Sequence, residues 1–312
     1  MAEAVRIDEE LRTALRAELG TRARLDEPLS RHTSFRIGGP ADLWAEVHDA
    51  AEIGRVVELV RRTGVPLFVL GGGTNVLVSD RGVRGVVVHL GRAFATVEWS
   101  DQGDHVTVRA GAALPFKKLV IESIERGLAG LEFAEGIPGW VGGGLLMNAG
   151  AFGGEISQVV EYVEGVDDQG RLQRLERASL RFSYRNFDLP PGFIVTYVGL
   201  RLLRDDSVAV AARRVDARRR RQARQPLGYP NAGSVFKNPP GHFAGRLIEA
   251  AGLKGRRIGN AQISPEHANF IVNLGGATAA DVRALMDEAI RAVESAQGAR
   301  LEPEIKLIGD WG

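Results

Sequence analysis

The 312-residue chain contains no cysteine. That excludes disulfides, thiolate nucleophiles, cysteine-ligated zinc and iron–sulfur clusters, and it fits a reducing compartment. Charge of one sign is also missing. Forty Lys and Arg residues face 39 Asp and Glu, so no global field draws the chain to nucleic acid or to a membrane surface. Apolar runs are short. None reaches the roughly 18 residues a membrane helix needs, and the opening "MAEAVRIDEE" has neither the basic n-region nor the apolar h-region of a signal peptide. A soluble, cytoplasmic protein is expected. The six histidines (His32, His48, His89, His105, His242 and His267) are scattered without metal-ligand spacing, so no catalytic metal is expected.

Glycine, by contrast, is abundant at 39 residues, and apolar residues at 44% suffice for a sizeable core. The chain reads in three sections. In residues 1–91 strand and helix alternate. "AEAVRIDEELRTALRAEL" has helical periodicity, a strand ends near Val47, "DAAEIGRVVELVRRTG" is an amphipathic helix closed by Gly64, and "VPLFVL" and "GVVVHL" are strands. That order argues parallel pairing. In residues 92–204, "FATVEWS" and "HVTVRAGA" form a hairpin around "DQGD". "PFKKLVIESIERG" is a helix, and "VVEYVEGVDDQGRLQRL" is a hairpin turning at "DDQG". Residues 205–312 mix helices with the strands "ANFIVNLGG" and "LEPEIKLIG" and make a plausible separate domain. The fold class expected is α+β, mixed α/β.

Two glycine clusters carry the chemistry. In "GGGTNVLVSD", Gly71, Gly72 and Gly73 follow a strand directly and are followed by Thr74 and Asn75. Such a loop is either a tight turn or a nest of N–H groups for an anion, most simply a pyrophosphate. A Rossmann fingerprint would need glycine where Val76 stands, and no G-K-[ST] occurs. The second cluster, "GIPGWVGGGLLMNAG", holds Gly136, Gly139, Gly142, Gly143, Gly144 and Gly150. Here the backbone itself reads as a binding surface, with Pro138 at the N1 position of a helix. Two such loops suit a long ligand with a central diphosphate, such as a dinucleotide.

"RHTSFRIGGPAD", "LGGGTNVLVSD", "GIPGWVGGGLLMNAGAFGGEI", "SYRNF", "NAGSVFKNP" and "LEPEIKLIG" occur in this order over residues 30–309. Together they resemble the UDP-N-acetylenolpyruvoylglucosamine reductase family. About 45 residues separate Arg185 from Asn231, which resembles the shorter class without a tyrosine-bearing lid. The resemblance implies the vanillyl-alcohol-oxidase-type FAD-binding fold. It divides the chain into FAD subdomains at 1–91 and 92–204 and a substrate domain at 205–312. It implies noncovalent FAD, with no link to His32, and NADPH as co-substrate. The implied reaction converts UDP-N-acetyl-3-O-(1-carboxyvinyl)-glucosamine to UDP-N-acetylmuramate for peptidoglycan. A hydride passes from NADPH to flavin N5 and then to substrate C3, and a proton reaches C2.

By the same resemblance Ser234 is the proton donor, Arg185 polarises the enolpyruvyl carboxylate, and Glu304 stabilises the enolic intermediate. Cofactor contacts fall on Arg36, Gly38, Gly39, Gly71 to Asn75, Gly136, Ile137, Pro138, Gly139, Gly143, Asn148, Ala149 and Gly150. Substrate contacts fall on Tyr184, Lys237 and Asn238. Partners are the UDP-sugar and NADPH, with no nucleic acid, no membrane insertion and no obligate protein partner. Locally each residue has a plainer reading: a turn serine, a loop arginine, a charged strand face. "ARRVDARRRRQAR", with seven arginines from Arg213 to Arg224, reads as a solvated helix face. It lacks the aromatic interleaving of a nucleic-acid patch; a third option is that one or two arginines lean toward a diphosphate.

Overall fold

The computed structural model describes residues 7–222, 225–226 and 228–312. Arg224 and the first five residues of the opening helical pattern, 2–6, lie outside the described residues. The chain forms two compact units, one of Met1–Leu25, Leu43–Gly72 and Gly85–Arg221, the other of Asp26–Asp42, Gly73–Arg84 and Gln222–Gly312.

In the first unit, helix α1 (Glu9–Leu19) starts where the Asp8 carboxylate accepts from Leu11 N at 2.8 Å and buries Leu11, Leu15 and Leu19, one residue per turn. Helix α2 (Ala50–Thr63) is capped by Asp49, buries Ile53, Val56, Val57 and Val60, and ends on Gly64 at φ 68°. The expected parallel pairing is present: Leu67–Val69 runs beside Val86–Val88. The middle of the chain is an antiparallel sheet in the order Leu172–Glu176, Val160–Val166, Ile194–Arg204, His105–Gly111, Val97–Asp101. Along His105–Gly111, Val106, Val108 and Ala110 point to the core, as a period of two requires. Helices α3 (Phe116–Glu125) and α4 (Val141–Leu146) belong to this unit, as does α5 (Ser207–Gln222) up to Arg221.

The second unit has its own core, built around Phe35, Leu77, Phe236, Ile248, Leu285 and Ile305. Helix α6 (Ala244–Ala250) and helix α7 (Ala279–Gln297) pack together, and α7 also packs on the small sheet Arg257–Ile258, Ala261–Ile263, Ile271–Asn273. A Thr278–Asp281 capping box starts α7, and the Asp80 carboxylate accepts from Ala279 N and Ala280 N at 2.8 and 2.9 Å. This is a favourable place for negative charge.

Two expectations are corrected. The final strand does not span "LEPEIKLIG". Only Lys306–Ile308 is strand, parallel to Val76–Val78, while Pro303, which has no N–H to offer a ladder, makes an isolated bridge with Phe236. Pro138 is not at the N1 position. Helix α4 starts three residues later at Val141, because Val141 N and Gly142 N are taken by Leu114 O and Ala112 O at 2.9 Å. Those two N–H groups therefore face the protein rather than a ligand.

Candidate active site

The two glycine clusters, far apart in sequence, meet within the first unit. A Cβ on Gly72 would lie 3.2 Å from Gly139 Cα and 3.3 Å from Trp140 Cδ1. Behind them stands an aromatic column. Trp140 packs on His89 with centroids 4.9 Å apart, His89 on Trp44 at 4.5 Å, and His89 Nδ1 donates to Leu70 O at 2.8 Å. The column sets the exit of strand Leu67–Val69, where Gly71 begins. Helix α4 tests whether these loops fit a cofactor. Its Gly142 and Gly144 are explained by packing, since a Cβ would meet Ala112 at 2.9 Å and Phe116 at 3.1 Å. Gly143 is exposed and a Cβ there would meet nothing within 4 Å. Glycine inside a helix costs about 1 kcal/mol relative to alanine, and the chain itself supplies no reason for it at Gly143. A ligand lying on the backbone would. Gly136 and Pro138 are exposed beside it, and Ile137 is anchored against the core.

Arg185 stands in the tight turn between Phe182–Ser183 and Asn186–Phe187, whose phenylalanines stack at 4.5 Å. Its φ is 57°, and its guanidinium Nη1 lies 3.3 Å from where a Cβ on Gly150 would be. The Tyr184 ring is half-exposed, 5.0 Å from Arg185 Cζ. Asn148 ties the two segments together. Its Nδ2 donates to Ser183 O at 3.1 Å and its Oδ1 accepts from Ser157 N at 3.2 Å, so its side chain is spent inside the protein. Ala149 is buried behind it. Among the described residues, non-glycine positive φ occurs at Asp26, Arg36, Asn148, Phe152 and Arg185. Such strain gathers at functional sites, and three of these five are candidates from the sequence.

The arginine run is not simply a solvated face. Arg213 pairs with Glu132 at 2.8 Å and Arg214 with Glu135 at 2.9 Å, both carboxylates being buried, and Arg221 Nε donates to Glu135 O at 2.9 Å. These contacts hold the segment that leads into Gly136–Gly139. Burial pushes the Arg221 guanidinium below its ordinary value, with Glu135 opposing the shift and Arg185 adding to it. Arg218, Arg219 and Arg220 are exposed as expected, and Arg213 is exposed too although it is paired. The missed signal was spacing: Val210, Arg214, Ala217 and Arg221 recur at intervals of four, three and four, a single helix face.

In the second unit, Ser234 is placed by its neighbours. Val235 and Phe236 are 1% and 2% exposed. Val235 N donates to Asn269 O, and the buried Asn269 amide makes two further bonds with Phe236 N and O. Asn269 was not singled out in the sequence; an amide inside "ANFIV" was the available clue, because a buried amide needs partners. Opposite runs the Glu304 segment. Glu304 N donates to Val235 O at 2.7 Å and Lys237 N to Glu302 O at 2.9 Å. Glu304 is half-buried while Glu302 is exposed and pairs with Lys237 Nζ at 3.6 Å.

Asn75 Nδ2 donates to Glu304 O at 3.2 Å, with Thr74 half-buried before it. Gly73, at φ 61°, passes so close to His32 that a Cβ would sit 1.9 Å from His32 O. The entry loop joins through Ser34 Oγ, which donates to Asn231 O at 2.7 Å. Buried Phe35 and Ile37 leave Arg36 between them exposed, and Gly38 and Gly39 pack on Val78 and Asp80. Asn238 accepts from Ala244 N at 3.0 Å and so caps α6.

Residues 225–308 match the C-terminal domain of UDP-N-acetylenolpyruvoylglucosamine reductase, and residues 41–176 match an FAD binding domain. The UDP-N-acetylenolpyruvoylglucosamine reductase 2 of Symbiobacterium thermophilum is 50% identical over 292 residues, covering 93% of this chain and 92% of that one. The chain belongs to the UDP-N-acetylenolpyruvoylglucosamine reductase family. The reductase of Moorella thermoacetica is 46% identical over 305 residues, covering 96% and 98% of the two chains. The crystal structure of the Thermus caldophilus reductase superposes with a TM-score of 0.78 at 40% identity, over 92% of this chain and 98% of that one. As a member of this reductase family, the protein is an FAD-dependent oxidoreductase with a mixed α/β fold of the vanillyl-alcohol-oxidase type. Among the described residues no helix is long and apolar enough to cross a membrane.

Proposed function

We propose that the protein reduces the vinyl ether of enolpyruvyl-UDP-N-acetylglucosamine to the lactyl ether of UDP-N-acetylmuramate, with NADPH as reductant, in the cytoplasm. The carbon–carbon double bond gains a hydride equivalent and a proton while NADPH becomes NADP⁺. Bound FAD supplies the two-electron transfer between nicotinamide and vinyl ether. The loops at Gly71–Asn75 and Gly136–Gly150, with Arg36, Gly38 and Gly39, hold it without a covalent link. In this reading residues 1–91 and 92–204 serve the cofactor and 205–312 the sugar nucleotide.

The observation that carries the reading is the pairing of the Ser234 and Glu304 segments through Val235 O, 2.7 Å from Glu304 N. A hydroxyl and a carboxyl are thereby fixed on adjacent backbone by buried neighbours. Ser234 holds a proton for C2 of the vinyl ether. A hydroxyl suits this because it is neutral and can both donate and accept. Arg185 takes the substrate carboxylate with two parallel N–H groups, a charge it cannot lose. Glu304 faces the charge that develops as C3 is reduced. Lys237, Asn238 and Tyr184 contact the sugar nucleotide.

Replacing Ser234 with alanine tests the assignment. Anaerobic mixing of S234A with NADPH is expected to bleach the flavin absorbance at the wild-type rate. Reoxidation by the enolpyruvyl sugar is expected to slow by about 10²–10⁴-fold, the usual worth of a positioned general acid. Reoxidation at the wild-type rate would remove Ser234 from the reaction.

A further inference from the structure

Ser234 opens a segment that departs from strand geometry at one residue. In an antiparallel ladder the N–H and C=O of a bonded residue go to the same neighbour. Phe236 obeys this. Its N–H donates to Asn269 Oδ1 at 3.0 Å, and its C=O accepts from Asn269 Nδ2 at 2.8 Å. Val235 does not. Its N–H donates to Asn269 O at 2.8 Å, while its C=O accepts from Glu304 N at 2.7 Å in the opposite segment. The peptide between Ser234 and Val235 is thereby turned out of the ladder, and Asn269 is the residue that holds it there. Asn269 is 4% exposed and lies outside any strand, since the nearest begins at Ile271. Its amide does the work of a neighbouring strand. An apolar side chain would fill the same space without fixing a direction, whereas a buried amide with both ends bonded specifies one geometry. On the other flank, Gly233, at φ 76°, donates its N–H to Asn231 Oδ1 at 2.9 Å. Half-buried Ser234 therefore stands between two asparagine side chains that bond its flanking backbone.

We propose that Asn269 is a positioning residue for proton delivery: its side-chain amide on Phe236 and its carbonyl on Val235 fix the peptide that aims the Ser234 hydroxyl. The inference rests on the reductase reading, in which Ser234 gives a proton to C2 of the vinyl ether. Asn269 touches no reacting atom in this account and acts through Ser234 alone. A hydroxyl displaced by about 1 Å still carries its proton but transfers it about 10²-fold more slowly. Transfer of electrons from NADPH to the flavin uses neither residue.

The test uses purified, FAD-loaded wild type, Ser234→Ala, Asn269→Ala, Asn269→Asp and the double variant Ser234→Ala with Asn269→Ala. Alanine removes both side-chain bonds to Phe236. Aspartate is nearly isosteric, keeps the acceptor for Phe236 N and sets an oxygen against Phe236 O. Three quantities are read anaerobically from flavin absorbance: bleaching by NADPH, the limiting rate of reoxidation by the enolpyruvyl sugar, and sugar affinity from the perturbed spectrum of the oxidised flavin. N269A and N269D are expected to bleach at the wild-type rate and to keep wild-type sugar affinity. Their limiting reoxidation is expected to be about 10–100-fold slower. In the S234A background, N269A is expected to slow reoxidation no further, because a residue acting through Ser234 then has nothing to aim. The proposal is overturned if both Asn269 variants reoxidise at the wild-type rate, or if they slow both half-reactions alike. It is equally overturned if N269A costs the same factor with and without Ser234, or if neither variant yields flavin-loaded protein, since Asn269 then serves the fold alone. S234A that reoxidises at the wild-type rate would instead overturn the proton-donor role itself, whatever the Asn269 variants do.

Discussion

Replacing Arg214 with methionine perturbs the buried end of α5. The Glu135 side chain is 5% exposed, and Arg214, itself 25% exposed, meets its Oε2 at 2.9 Å. Methionine keeps much of the aliphatic stem but leaves a carboxylate in the interior without that cation. Breaking one half of a buried pair costs about 3–5 kcal/mol. For a unit of this size each kcal/mol lowers the melting temperature by about 2–4 °C, so R214M is expected to melt about 10 °C below wild type. The measurement is thermal unfolding of the apoprotein by far-UV circular dichroism, repeated on loaded protein by release of flavin fluorescence. The double variant Arg214→Met with Glu135→Leu removes both charges and is expected to be more stable than R214M alone, because no uncompensated carboxylate remains. Two results would refute the reasoning: R214M within about 1 kcal/mol of wild type, or a double variant whose loss equals the sum of the two singles. The Gly136–Gly139 loop follows Glu135 directly, so R214M is also expected to weaken FAD binding.

Gly143→Ala is expected to separate fold from function. The apoprotein should gain up to about 1 kcal/mol from the better helix former, whereas FAD affinity should fall; an alanine variant that binds FAD as well as wild type would mean that no ligand lies on α4. Glu52 tests the acid limb. Its two oxygens accept from Arg22 at 2.7 Å each and one accepts from His48 N, and hydrogen bonding from Arg22 holds the carboxyl at about 2, below its ordinary 4.5. A depressed carboxyl stabilises the fold fully above its unfolded value and ceases to do so as pH falls from about 4.5 to about 2. After allowance for screening at this partly solvated pair the contribution is about 1–2 kcal/mol. E52Q should therefore lose stability at neutral pH and show a flatter decline across that window, and an unchanged acid limb would contradict the assignment.

Much of the fold was legible before any coordinates, for local reasons. Asp8 and Asp49 cap helices whose apolar residues recur every three or four positions, and the "DDQG" turn announces its hairpin. Period and turn chemistry act over a few residues, so they survive in the string. The candidate residues were legible differently, through six motifs whose order resembles a family. Ser234, Arg185 and Glu304 each have a commonplace local reading, and nothing within ten residues of any of them signals a site.

The chain's own letters determined where most helices and strands lie, which face of each is apolar, and that glycine gathers in two loops. Only the folded arrangement decided that Gly72 touches Gly139, that Val235 O binds the Glu304 amide, and that Arg214 and Arg221 lie on the inward stripe of a helix that reads as solvated. The physical reason is that an arginine buried against a carboxylate or a carbonyl has the same composition as one in water. Its partner, Glu135, is 79 residues away from Arg214, and a periodic pattern of apolar residues cannot report a buried face made half of guanidiniums.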